Sequence, residues 1–169
     1  MNKAYKYRIY PTEEQISLFN KTFGCCRFIW NIMLADKLDA YKKDKTLRLT
    51  TPAMYKDRFP FLKEVDSFSL CNVQLNLEQA YKNFFNNPNK FGKPKFKSKH
   101  RSRQSYTTNQ KITVFDNFIK ILKAGKVKAT IHRKAPDNWK LKSATISRQS
   151  DNTWYIYLCF MNMILKLIR

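Results

Sequence analysis

The sequence predicts an α+β fold: an N-terminal strand, a helical insert, then an antiparallel β-barrel of the wedge or OB-like kind. Three observations lead there. Lys3 to Tyr10 alternates with a period of two, residues 13 to 86 carry apolar stripes at helical spacing, and from Lys111 to Phe160 the period returns to two. The expected segmentation is 1–10 first strand, 11–87 helical insert, 88–104 basic loop, 105–160 remaining barrel strands and 161–169 tail.

In the first strand Tyr5, Tyr7 and Ile9 share one face and Lys6 and Arg8 the other. Pro11-Thr12-Glu13-Glu14-Gln15 then supplies a capping box, with the Thr12 hydroxyl accepting from the Gln15 amide and the Gln15 side chain reaching back. The helix it opens places Ile16, Phe19, Phe23, Cys26, Trp30, Met33, Leu34, Leu38 and Tyr41 on one stripe, ending in the polar run Lys42 to Lys45. Gly24 is expected to divide it into two helices or to kink it. Thr51-Pro52 marks a short helix bounded by Pro60, and a further helix runs from Asp66 or Ser67 to Asn86-Asn87-Pro88 with Leu70, Val73, Leu77, Ala80 and Phe84 inward.

Lys111–Phe115 and Phe118–Leu122 read as a hairpin turning at Asp116-Asn117, two residues that tolerate positive φ. Strands follow at Val127–Arg133, Leu141–Arg148 and Thr153–Phe160, the last with Trp154, Ile156, Leu158 and Phe160 on one face. From Met161 the register breaks, as if the chain ended early.

The 169 residues hold 33 Lys or Arg against 12 Asp or Glu, a net charge of +21. Magnitudes of about 2 to 8 suit a small soluble domain, so a polyanionic partner is expected. Residues 82–148 alone contribute +16, from 18 basic and two acidic side chains. Their densest stretch, Lys90 to Arg103, has seven cations, no acid, and Phe91 and Phe96 interleaved. A solvated linker would account for its Gly, Pro and Ser; contact with nucleic acid would account also for its sign and its aromatics. Cys25, Cys26, Cys71 and Cys159 have neither metal-ligand nor disulfide-framework spacing and read as reduced thiols. No secretory leader or membrane-spanning run is recognisable, which points to the cytoplasm.

Several motifs in order resemble the N-terminal half of the TnpB (OrfB) family of insertion-sequence proteins, RNA-guided DNA endonucleases related to type V CRISPR effectors. They are Lys6-Tyr7-Arg8-Ile9-Tyr10-Pro11-Thr12 with Gln15, Gly24-Cys25-Cys26-Arg27-Phe28-Ile29-Trp30-Asn31, and Ala80-Tyr81-Lys82-Asn83-Phe84-Phe85. Gly92-Lys93-Pro94-Lys95-Phe96-Lys97-Ser98-Lys99, Ser105-Tyr106-Thr107-Thr108, and the run from Gly125-Lys126-Val127-Lys128 to Arg148 complete the set. The resemblance implies a wedge barrel built from the first and late strands, with the intervening helices as a helix-turn-helix-like recognition insert. It also implies a bacterial, nucleoid-associated protein whose partners are guide-type RNA, DNA, or both. The family's RuvC-like carboxylates and Cys-x-x-C zinc ribbon have no counterpart here, so the chain is expected to be a truncated, non-enzymatic module. The missing nuclease portion, if encoded separately, would be a further partner.

Catalytic and metal-binding residues are accordingly expected to be none, and no cofactor is implied. Asp36 and Asp39 share a helix face but stand among lysines, as solvated ion-pair partners do. His100 and His132 lack companion ligands. Candidate nucleic-acid contacts are Lys6 and Arg8 on the first strand, Lys126 and Lys128 on the barrel, and Lys93, Lys95, Phe96, Lys97, Lys99, Arg101 and Arg103 in the basic loop. Tyr106 either stacks on a base or begins a strand. Three functions remain open from the sequence: an RNA- and DNA-holding module, a helix-turn-helix regulator of transposition acting without RNA, or a decayed fragment.

Overall fold

A computed structural model describes residues 2–44 and 50–163. Lys45, at the expected end of the first helix, and residues 164–169 of the tail lie outside the described residues. The chain divides into two compact units, one of residues 1–21 and 103–169, the other of residues 22–102.

The first unit is a seven-stranded sheet. Its strands are β1 (Asn2–Tyr10), β2 (Ser105–Thr108), β3 (Thr113–Val114), β4 (Phe118–Ile121), β5 (Gly125–Thr130), β6 (Trp139–Arg148) and β7 (Trp154–Asn162). They lie in the order β2-β6-β7-β1-β5-β4-β3, every pair antiparallel. The α+β class with a first strand joined by late ones is as expected, and the N-terminal strand sits centrally, pairing with β7 from Asn2↔Met161 to Ile9↔Trp154. Closure into a barrel is not seen. Among the described residues β2 and β3 are the sheet's two edges, and they are too short to form a closing ladder. Lys111 adopts φ 54°, which interrupts the run assigned to Lys111–Phe115 and leaves only Thr113 and Val114 to pair.

The hairpin at Asp116-Asn117 forms, with the Phe115 amide donating to the Phe118 carbonyl at 2.9 Å, but without positive φ at either residue. That conformation occurs instead at Lys123 and Gly125, in the β4–β5 turn, and at Asn152 before β7.

Tyr7, Ile9, Ile146, Trp154, Ile156 and Leu158 form the buried face of the sheet. The first turns of α1 (Glu13–Asp44) add Phe19, whose ring lies 5.6 Å from Trp154 and 6.0 Å from Tyr106. The capping box closes as the sequence predicts: the Thr12 amide donates to Gln15 Oε1 at 3.0 Å and the Gln15 amide to Thr12 Oγ1 at 3.3 Å. Gln15 does more, since its Nε2 donates to the carbonyls of Ala124 (3.0 Å) and Lys126 (2.8 Å), fastening the helix start to the β4–β5 turn. Gln15→Ala is therefore expected to lower unfolding free energy by about 2 kcal/mol, more than a cap alone. Urea midpoints of this variant and of Thr12→Ala, which spares the turn contacts, would measure the difference.

In the second unit α1 continues unbroken past Gly24, so neither division nor separate helices result. A helical glycine costs about 1 kcal/mol relative to alanine, and burial of Phe23, Cys26, Ile29, Trp30, Met33 and Leu34 outweighs it. The expected short helix resolves into two 3-10 turns, Pro52–Tyr55 and Pro60–Glu64, each opened by proline. The helix α2 (Ser67–Asn86) starts at an Asp66 cap whose carboxylate accepts from the Phe68 amide at 2.8 Å. Leu70 and Leu77 are buried, while Val73, Ala80 and Phe84 are only half-buried.

Asp36 is not a solvated partner of lysines, for Tyr55 donates to its Oδ2 at 2.6 Å. Burial, reinforced by Asp36, pushes the Tyr55 hydroxyl up to about 12, and burial pushes the Cys26 thiol up to about 12 against a hydrogen bond with Ser69. Because both folded values lie above the unfolded ones of 10.0 and 9.0, their contribution is complete below pH 9 and is lost as pH rises towards 12. Denaturant midpoints are expected to fall across that window, and to fall less steeply in Tyr55→Phe.

Candidate nucleic-acid interface

Strand register determines which side chains share the solvent side of the sheet, because directly paired residues project to one face. One row runs Lys6, Tyr157, Thr145 and Thr107; the next runs Arg8, Tyr155, Ser147 and Ser105. On the other side of β1, Tyr10 pairs with Lys128, Lys128 with Phe118, and Lys126 with Lys120. Lys6, Arg8, Lys126 and Lys128 therefore share one face, together with Lys120.

The tyrosines of β7 organise these cations. Lys6 Nζ lies 4.1 Å from the Tyr155 ring centroid and 5.6 Å from that of Tyr157. The Arg8 guanidinium lies 5.4 Å from Tyr155 and 5.5 Å from Tyr10, and that of Arg103 lies 5.9 Å from Tyr157. Such contacts orient a cation on the sheet without neutralising it. Arg8 Nε is buried with no hydrogen-bond partner among the described residues. Lys126 Nζ lies 4.9 Å from the Phe118 ring.

Tyr10, Lys120, Tyr155 and Tyr157 are absent from the sequence-derived set. The signal for two of them was present, since the buried stripe Trp154, Ile156, Leu158 and Phe160 leaves Tyr155 and Tyr157 as the outward positions of the same strand. Tyr106 moves the opposite way. It is 5% exposed, packed beside Phe19 in the core, so it is a strand residue and not a stacking platform.

In the second unit the basic segment is fixed at its centre. Trp30 Nε1 donates to the Lys95 carbonyl at 2.9 Å. Asn31 grips the next peptides from both sides, donating from Nδ2 to the Lys97 carbonyl at 2.9 Å and accepting the Lys97 amide at Oδ1 at 2.8 Å. A free linker is excluded at these residues. Two motifs noted separately in the sequence, Trp30-Asn31 and Lys93-Pro94-Lys95-Phe96-Lys97, are thus one structural feature.

Lys93, Lys95, Lys99 and Arg101 remain exposed, as does Phe96 at 58%. Lys97 is different. Its ammonium sits 3.9 Å from the Trp30 ring centroid, and desolvation holds its pKa below the ordinary lysine value, with Cys26 acting weakly in the opposite sense. The Ser98 carbonyl accepts from the Ser102 amide at 3.0 Å, and Ser98 Oγ from the Arg101 amide at 3.3 Å, giving the end of the segment a turn.

Among the described residues no group of three or more His, Cys, Asp or Glu is placed to hold a metal ion, and no helix is long and apolar enough to cross a membrane.

Residues 1–46 match the helix-turn-helix domain family of IS605-type OrfB proteins. A Streptomyces pristinaespiralis protein named "Putative RNA-guided DNA endonuclease" is 28% identical over 167 residues, covering 94% of this chain and 41% of that protein. The chain thus spans less than half the length of that relative. A Salmonella dublin protein named "Virulence protein VsdF" is 34% identical over 114 residues, covering 59% of this chain and 96% of that protein.

Proposed function

The chain belongs to the TnpB (OrfB) family of insertion-sequence proteins, and from that premise we propose that it is a nucleic-acid-binding module that holds guide-type RNA and target-flanking DNA without cutting either. The observation that carries this reading is the solvent face of the sheet. There Lys6, Arg8 and Lys128 stand in register with Tyr10, Tyr155 and Tyr157, combining phosphate-neutralising charge with ring surface. Arg103, over the Tyr157 ring, adds to this face, and the exposed cations of residues 93–101 give the other unit a basic surface of its own.

Cleavage by two metals needs carboxylates converging on ions about 3.5 to 4 Å apart. Asp36 is occupied by Tyr55, and no group of three or more His, Cys, Asp or Glu is placed to hold a metal ion among the described residues. A second reading, DNA binding in transposition or its regulation without RNA, is favoured by the helix-turn-helix match over residues 1–46.

The test is fluorescence anisotropy with single-stranded RNA and duplex DNA across 50 to 200 mM salt, beside a Mg²⁺ cleavage assay. Binding to both with a steep salt slope and intact substrates is expected. Salt-insensitive or absent binding would overturn the module, EDTA-sensitive nicking would overturn the non-enzymatic reading, and binding to duplex DNA alone would favour the second.

A further inference from the structure

Residues 82–148 contain 18 basic side chains but two carboxylates, Asp116 and Asp137. Both line the same pocket of the sheet unit, a cavity of about 500 Å³. Its apolar wall comes from Tyr7, Phe115, Trp139 and Phe160, and Arg133 and Lys134 also border it. The β3–β4 hairpin forms one side and the segment joining β5 to β6 the other.

Several bonds shape the cavity. The Tyr7 hydroxyl donates to the Arg133 carbonyl at 2.6 Å, fixing the joining segment to the central strand. Phe115 stacks on Phe118 with centroids 4.3 Å apart and planes at 22°, leaving it 41% exposed. Lys134 Nζ pairs with Asp116 Oδ1 at 2.7 Å, which keeps that carboxyl below the usual carboxylate range. Asp137 is exposed.

Two carboxylates gathered in an otherwise cationic region disfavour a phosphate here and suit hydrogen-bond donors. The volume is that of a small-ligand pocket, about 300 to 1,000 Å³. Unpaired bases are recognised by stacking on aromatic rings and by hydrogen bonds to their Watson–Crick edges. Guanine alone among the four RNA bases presents two adjacent donors on that edge, N1–H and N2–H, which match the two oxygens of one carboxylate. Resting on the RNA-binding reading above, we propose that this pocket receives one unpaired guanine of the bound RNA, stacked on the aromatic wall, with its Watson–Crick edge donating to Asp137 and Lys134 donating to its O6.

The full chain would be titrated with a labelled ten-nucleotide oligouridylate and with the same strand carrying one central guanosine, or one inosine. Wild type is expected to bind the guanosine strand roughly tenfold more tightly, with inosine, which lacks the N2 amino group, losing most of that preference. Asp137→Asn is expected to abolish the preference while leaving oligouridylate affinity and its salt slope unchanged; circular dichroism would show the variant folded. Equal wild-type affinity for all three strands with the salt slope intact overturns the guanine pocket and leaves the nucleic-acid module standing. Failure to bind any strand overturns both. A preference that survives Asp137→Asn overturns the assignment, as does wild-type self-association dispersed by that substitution, which would give the pocket to a cationic side chain of a second copy.

Discussion

Replacing Lys93, Lys95, Lys97, Lys99, Arg101 and Arg103 together by serine is expected to weaken binding to every RNA and DNA sequence and to flatten its salt dependence. Each neutralised phosphate contributes about −0.7 to −0.9 to the slope of log K against log salt. The ring beneath the Lys97 ammonium does not neutralise it, so six contacts are counted, about −4 to −5 in slope. Between 50 and 200 mM salt that is about two to three decades of affinity, which the variant should no longer lose. Phe96→Ala should act differently, weakening single strands by about 1 to 3 kcal/mol and sparing duplex, because stacking requires an unpaired base. Its ring is 58% exposed, so a folding defect is not expected to intervene. Unchanged affinity and slope in the folded sixfold variant would show that this charge acts on something other than nucleic acid.

The alternation of β1 and β7 and the capping box were legible because each rests on neighbours within a few residues. Tyr7 and Ile9 had to face inward once Lys6 and Arg8 faced out, and Thr12 with Gln15 needs only one turn of helix. What could not be read depends on partners distant in sequence. The second role of Gln15 involves carbonyls more than a hundred residues away. Tyr106 reads equally as strand or stacking platform until Phe19 is seen beside it. Gly24 signals a break in local propensity, and only the buried stripe around it keeps the helix whole.

The same distinction governs the candidate interface. Charge density is a property of composition, so the basic segment was visible at once, whereas the outward tyrosines required a strand register. The pairs Lys6↔Tyr157 and Arg8↔Tyr155 make four residues of two remote strands one surface. The two isolated carboxylates were visible too, but not that Asp116 and Asp137 border one cavity.

Trp30 and Asn31 allow charge and position to be separated. Trp30→Ala removes a buried side chain, the hydrogen bond to Lys95 and the ring beneath Lys97, and should cost about 3 to 5 kcal/mol of stability. Trp30→Phe retains most of the packing and loses the N–H donor, at about 1 kcal/mol. Asn31→Ala is the more informative change, because it deletes both bonds to the Lys97 peptide and alters no charge. If those bonds hold the cations in place, trypsin should cut between Lys93 and Arg101 faster under native conditions. Affinity for RNA should fall while the salt slope stays near that of wild type, since the same number of phosphates is met by a less ordered strand of cations. A cycle with Lys97→Ala would isolate the ring contact, with a coupling of about 0.5 to 2 kcal/mol expected. If Asn31→Ala leaves both trypsin sensitivity and affinity unchanged, the hydrogen bonds do not govern the segment, and its binding depends on charge alone.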